Sequence, residues 1–153
     1  MSKKLIFSTF LLAYGVLTWM YWPANKNEMV DVNADFIGSY DITGAAGELM
    51  RDGCYDCHSY ETKYPAYAYF PPVSGWIGGH VAHGRGKLNF SAWSDYSLEE
   101  QSEFIKKSIQ EIENGDMPPS NYRTMHSEAQ WSEQDSAIVL AFLREFAQIS
   151  QQD

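Results

Sequence analysis

Residues 54 to 58 read Cys54-Tyr55-Asp56-Cys57-His58 and hold both cysteines of the chain. C-x-x-C-H is the spacing at which two thiols bond to the vinyl groups of a c-type haem and the adjacent histidine ligates its iron. Each of the three positions therefore has a chemical task, which separates the motif from a bare C-x-x-C. A thioredoxin-like pair needs a βαβ context, and no Val/Ile-rich strand precedes Cys54. A structural zinc site needs four ligands, and the adjacent Cys57 and His58 have poor chelate spacing. A Cys54–Cys57 disulfide would close a very short loop and stabilise little. The expected cofactor is one covalently attached haem c.

The chain has 153 residues, 44% of them hydrophobic and 15% aromatic, enough for one domain around a large apolar cofactor plus a short appendage. Its formal net charge is -9. With Lys3 and Lys4 set aside, nine of the eleven Lys and Arg face twenty Asp and Glu. This balance argues against nucleic acid as a partner, since phosphate binding needs a basic face. The acidic surface suits docking to redox proteins with a basic face.

After Lys3-Lys4 the run LIFSTFLLAYGVLTWMYW, Leu5 to Trp22, carries no charge. Its roughly 18 residues would span about 27 Å as a helix, enough for the hydrocarbon core of a bilayer. Tyr21 and Trp22 stand where an aromatic belt belongs, and Pro23 ends the run. The lysines orient the N-terminus to the cytoplasm. A cleaved signal peptide has a similar layout, but the run is long and no A-x-A site follows it. Residues 1–22 are thus expected to be an uncleaved transmembrane anchor in the inner membrane. Residues 23–35 would be a polar linker, and residues 36–153 a haem-binding domain on the periplasmic side, the compartment where c-type haem is attached.

Within that domain, Ala45, Ala46, Leu49 and Met50 follow helical spacing behind Thr43, a candidate N-cap, and deliver Cys54 near Gly53. Residues 59–96 are rich in Tyr, Trp, Pro and Gly without a clean period, and read as loops and short helical turns. Ser97-Leu98-Glu99-Glu100 is a capping box. It opens a helix with Phe104, Ile105, Ile109 and Ile112 on one face, stopped by Asn114-Gly115. Ser132-Glu133-Gln134-Asp135 opens a last helix that buries Ile138, Val139, Phe142, Leu143 and Phe146.

A helix before C-x-x-C-H, a helix ending in Gly, Met117-Pro118-Pro119 in a loop and a final helix resemble a class I cytochrome c. More specifically, CYDCHSYETKYP (54–65), PPVSGWIGGHV (71–81), GRGKLNFSAW (84–93) and GDMPPSNYRTMHSEAQWS (115–132) resemble the small bacterial haem-binding domain family, membrane-anchored relatives of such cytochromes. The resemblance implies an all-α fold of three main helices, with irregular loops wrapped around one haem. It implies little about reaction or partner.

The second axial ligand sets the potential of such a haem. Met117 is the first candidate, since it follows a helix stop and prolines stiffen the chain beyond it. A loop methionine is otherwise hydrophobic filler. His80, in Gly78-Gly79-His80-Val81, is the runner-up, and His83 lies three residues on. An open sixth site is the remaining alternative. Arg85 is the leading candidate for the haem propionates, with Trp93, Asn89 and Tyr122 as further hydrogen-bonding candidates. The bland reading of Arg85 is a solvated charge, and that of Trp93 core packing.

The function expected from these features is an electron carrier: a membrane-anchored mono-haem cytochrome moving single electrons between periplasmic or membrane redox proteins. The competing expectations are a haem enzyme with an open distal site, of peroxidase or small-gas type, and a haem subunit of a larger respiratory complex. Replacing either Cys54 or Cys57 by Ala should leave a singly attached haem or no holoprotein. Covalent haem staining of wild-type intensity in both denatured variants would sink the attachment reading.

Overall fold

A computed structural model describes residues 2–20 and 27–149. Every regular element among them is helical, and no strand occurs among the described residues. Helix α1 covers Lys3–Met20 and buries none of its residues. It includes both lysines in its 18 residues, and Tyr21 and Trp22 lie outside the described residues. Among the described residues no helix is long and apolar enough to cross a membrane.

The domain proper begins with Asp35, which caps the short helix α2 (Phe36–Ser39) by accepting from the Gly38 N–H. Helix α3 (Ala45–Met50) follows, and its N-cap is Gly44 rather than Thr43. Gly44 has φ +81°, a left-handed conformation that a β-branched residue resists. The helix does not stop at Gly53. It passes through a π-helical turn, Arg51–Tyr55, into α4 (Asp56–His58). Gly53 serves contact: a Cβ there would meet the Trp131 ring at 2.4 Å and Pro118 at 3.0 Å.

The largest departure from sequence expectation is α5, a 15-residue helix over Val73–Lys87 within the stretch read as loops. Its five glycines (75, 78, 79, 84, 86) dilute any apolar stripe, and glycine lowers helix propensity by about 1 kcal/mol each. Packing against the motif compensates: α5 lies along α4, and a Cβ on Gly84 would sit 2.4 Å from the Cys57 carbonyl oxygen. A 3-10 turn, Phe90–Asp95, follows.

Helix α6 (Leu98–Glu113) opens on the expected capping box, Ser97 and Glu100 each receiving the other's backbone N–H. It ends at Asn114, before Gly115 at φ +77°. Short helix α7 (Ser120–Met125) leads to α8 (Glu133–Ile149). There Ser132 and Asp135 cap reciprocally, with Ser132 N–H donating to Asp135 Oδ2 at 2.8 Å and Asp135 N–H to Ser132 Oγ at 3.2 Å. Helix α8 packs on α3 and α6 and buries Val139 and Leu143 completely.

The core is mainly aromatic. Phe36, 0% exposed, stands at the centre of a cluster with Trp93 (ring centroids 4.6 Å), Phe146 (5.1 Å) and Phe90 (5.5 Å). Fully burying such a ring contributes about 1.5–3 kcal/mol. Gly84→Ala should destabilise the domain by about 1–3 kcal/mol, because the added methyl meets a backbone carbonyl and not a yielding side chain. Chemical denaturation checks this; an unchanged midpoint would show that α5 does not need its close approach to Cys57.

Candidate functional site

The π-helical turn and α4 present the motif. Such turns inserted in helices are frequent at functional sites. Here the turn carries Cys54, and the last helical turn carries Cys57 and His58. All three side chains line one cavity of about 470 Å³, within the roughly 300–1,000 Å³ range of cofactor pockets. Both thiols are free. Burial is the main cause that pushes Cys54 up to about 12, with Cys57 beside it adding to the effect. Burial likewise pushes Cys57 up to about 11, helped by Asp56 and opposed by Arg85. Both sulfurs are therefore neutral at pH 7.

His58 Nδ1 lies 3.0 Å from the Leu88 carbonyl oxygen. A carbonyl only accepts, so Nδ1 carries the proton and Nε2 keeps its lone pair. Burial also holds the imidazole below its ordinary value, in the neutral form that ligates a metal.

The other walls come from distant segments. Helix α5 contributes His80, His83 and Lys87; α6 contributes Phe104, Lys107 and Ile112; α8 contributes Val139 and Leu143. The loop after α6 brings Met117, half-buried, and α7 brings Tyr122. The Met117 N–H donates to the Glu111 carbonyl at 3.2 Å, tying the loop to the helix end. His80 is exposed, with Nδ1 2.9 Å from the Trp76 carbonyl and its ring 4.5 Å from the Trp76 ring. His126 is not on the cavity wall; it stacks on Tyr122 at 4.1 Å.

Two thiols, an imidazole with a free Nε2 and a thioether, set in largely apolar walls, fit haem as a donor set. Among the described residues no group of three His, Cys, Asp or Glu could hold a metal ion. The model of the haem-binding domain family matches residues 13–145.

The chain belongs to the haem-binding domain family.

This haem-binding domain is also 25% identical over 135 residues to the cytochrome c peroxidase Ccp of Escherichia coli (strain K12), a match covering 84% of this chain and 28% of that protein. It thus spans less than a third of the relative's length. No solved structure matches.

Three candidate residues lie away from the cavity wall. Arg85 turns to the loop after the motif. Its Nε donates to the Ser59 carbonyl at 2.7 Å, and Nη2 donates to Thr62 Oγ1 at 3.0 Å and Asn27 Oδ1 at 3.1 Å. Its guanidinium lies over the Tyr60 ring at 5.1 Å. It clamps the chain around His58 and also draws in Asn27, from the stretch read as linker. Trp93, 1% exposed, belongs to the aromatic core; its Nε1 has no hydrogen-bond partner. Asn89 is also buried off the wall, where its Oδ1 accepts from the Ser91 N–H.

Sequence reasoning passed over three supporting residues. Tyr55 and Asp56 occupy the two positions between the cysteines, which the motif leaves free. Tyr55 stacks on Phe90 (5.3 Å, 5° between planes), and its hydroxyl donates to Asp35 Oδ1 at 3.1 Å while accepting from the Ile37 N–H at 3.1 Å. Asp56 takes the Tyr122 hydroxyl at 2.9 Å on Oδ2 and the Lys63 N–H at 2.8 Å on Oδ1. Asp35 is buried, with Oδ2 unpartnered. Its sequence signal was only that of an N-cap, Asp before a short apolar stretch.

Burial raises Asp35 above its ordinary value of 3.8, against the lowering pull of its bonds to Gly38 and Tyr55. Between 3.8 and the raised folded value the folded state holds a proton that the unfolded chain has lost, so this contribution falls as pH rises. Asp35→Asn keeps an oxygen acceptor and removes the titration. Its stability relative to wild type should therefore improve as pH rises through that window. Denaturation midpoints across acid pH check this, and a constant difference would exclude the linkage.

Proposed function

We propose that this protein is a single-haem c-type cytochrome that carries one electron at a time between periplasmic redox partners. The observation that supports it best is the convergence of Cys54, Cys57, His58 and Met117 on one cavity. Cys54 and Cys57 would hold haem through two thioethers, and His58 Nε2 and Met117 Sδ would be the protein ligands to its iron. Haem so bound supplies one-electron exchange between ferrous and ferric iron. The chain's part is to exclude water with Val139, Leu143 and Phe104, to fix the imidazole through Leu88, and to hold the methionine loop through Glu111. The order of helices, motif and Met-Pro loop supports a class I cytochrome c arrangement.

The proposal includes an inner-membrane anchor with the haem domain on the periplasmic side. It is supported by the uncharged run after Lys4 and by the exposure of Phe7, Phe10, Leu12 and Trp19 around α1, surface that lipid would cover. The acidic surface supports partners with a basic docking face.

A second reading, peroxidase chemistry at an open distal site, is favoured by the likeness to a protein named cytochrome c peroxidase and by His80 and His83 on the cavity wall. In that reading one histidine would act as the distal acid and base. The two readings differ at Met117. Under the electron-carrier reading the ferric wild type shows the weak sulfur-to-iron band at the red edge of the visible spectrum. Met117→Ala abolishes it and opens the ferrous form to carbon monoxide. Rapid carbon monoxide binding by the wild type, or loss of the low-spin spectrum in His80→Ala and not in Met117→Ala, would reject methionine ligation.

A further inference from the structure

With Arg85 engaged on the loop after the motif, the carboxylates of haem need other partners. Haem carries two propionates on the edge opposite its vinyl groups, and a carboxylate at a partly desolvated site needs donors or a cation. The cavity lining holds two ammonium groups among the described residues, Lys87 from α5 and Lys107 from α6. Lys87 ends α5, one residue before Leu88, whose carbonyl orients His58. It forms no ion pair among the described residues. Among the described residues Lys107 pairs with Glu103 alone, one turn earlier, at 2.6 Å, with both side chains exposed. Such an exposed i,i+4 pair is weak and easily exchanged for another anion. Lys106, the preceding residue, is exposed and off the cavity wall.

The cavity's own carboxylates do not compete for these lysines. Asp56 is occupied by Tyr122 and Lys63. Glu111 lies on α6 one helical turn beyond Lys107 and forms no ion pair among the described residues. In a chain of net charge -9, two cations on one cavity wall, one from each flanking helix, require a reason.

We propose that Lys87 and Lys107 are the propionate-binding residues, one helix supplying each, so that seated haem would link α5 to α6. The assignment rests on the covalent haem reading above. A cation beside the propionates also favours the reduced, less positive iron, so the two lysines raise the midpoint potential.

Full-length holoprotein carrying Lys87→Gln, Lys107→Gln or the control Lys106→Gln tests this by resonance Raman spectroscopy and potentiometry. The propionate-bending band should shift, and the midpoint potential should fall, in the first two variants and in neither respect in the third. Lys87→Arg and Lys107→Arg keep the charge and should restore the potential. If a glutamine variant does not accumulate, the band of its arginine counterpart carries the test, since a guanidinium donor also displaces it. An unmoved band with covalent haem intact overturns the lysine assignment and leaves the haem reading standing. Absence of covalent haem from the wild type overturns both. Equal shifts in Lys106→Gln would reduce the effect to general surface charge and reject the two-lysine site.

Discussion

The hydrogen bond between His58 Nδ1 and the Leu88 carbonyl is the interaction on which the site depends. It joins residues thirty apart in sequence, and by holding the proton on Nδ1 it leaves Nε2 a lone pair for a ligand bond. Leu88 can reach His58 only because α5 lies flat on the motif helix, and α5 can lie there only because Gly84 has no side chain to strike the Cys57 carbonyl. One missing methyl group and one carbonyl thus set the orientation of the imidazole.

The surrounding structure keeps that geometry rigid. Tyr55, between the two cysteines, is stacked on Phe90 and bonded to Asp35, so the π-helical turn is tied to the aromatic core and to the start of the domain. Asp56, the first residue of α4, ties the motif through Tyr122 to α7, beyond the methionine loop. Arg85 fastens the chain leaving His58. Tyr55, Asp56 and His58 are therefore each held from a different direction. Asp35 is retained despite one unpaired buried oxygen because its other oxygen serves both a helix N-terminus and Tyr55.

Legibility in the sequence followed the range of the forces involved. Helices α6 and α8 were readable because their apolar stripes and capping residues are local, three and four residues apart. Helix α5 was not: its glycines erase the stripe, and its stability comes from contact with a segment thirty residues away. The role of Gly53 was illegible for a related reason. A glycine after a helix usually marks its end, but here the absent side chain makes room for Trp131. Arg85 was drawn to the cofactor by charge alone, whereas three oxygen acceptors on neighbouring loops hold it elsewhere.

The identity and spacing of the donor groups were the part that the sequence determined alone. Two thiols and an imidazole stand at positions 54, 57 and 58, and membership of the haem-binding domain family supports haem as their cofactor. Tertiary structure decided which other groups share that space. It brought Met117, His80, His83, Lys87 and Lys107 to one cavity and left Arg85 and Trp93 outside it. The reason is physical: spacing within a few residues fixes direction through backbone geometry. The meeting of distant walls depends instead on close packing, and single atoms decide that.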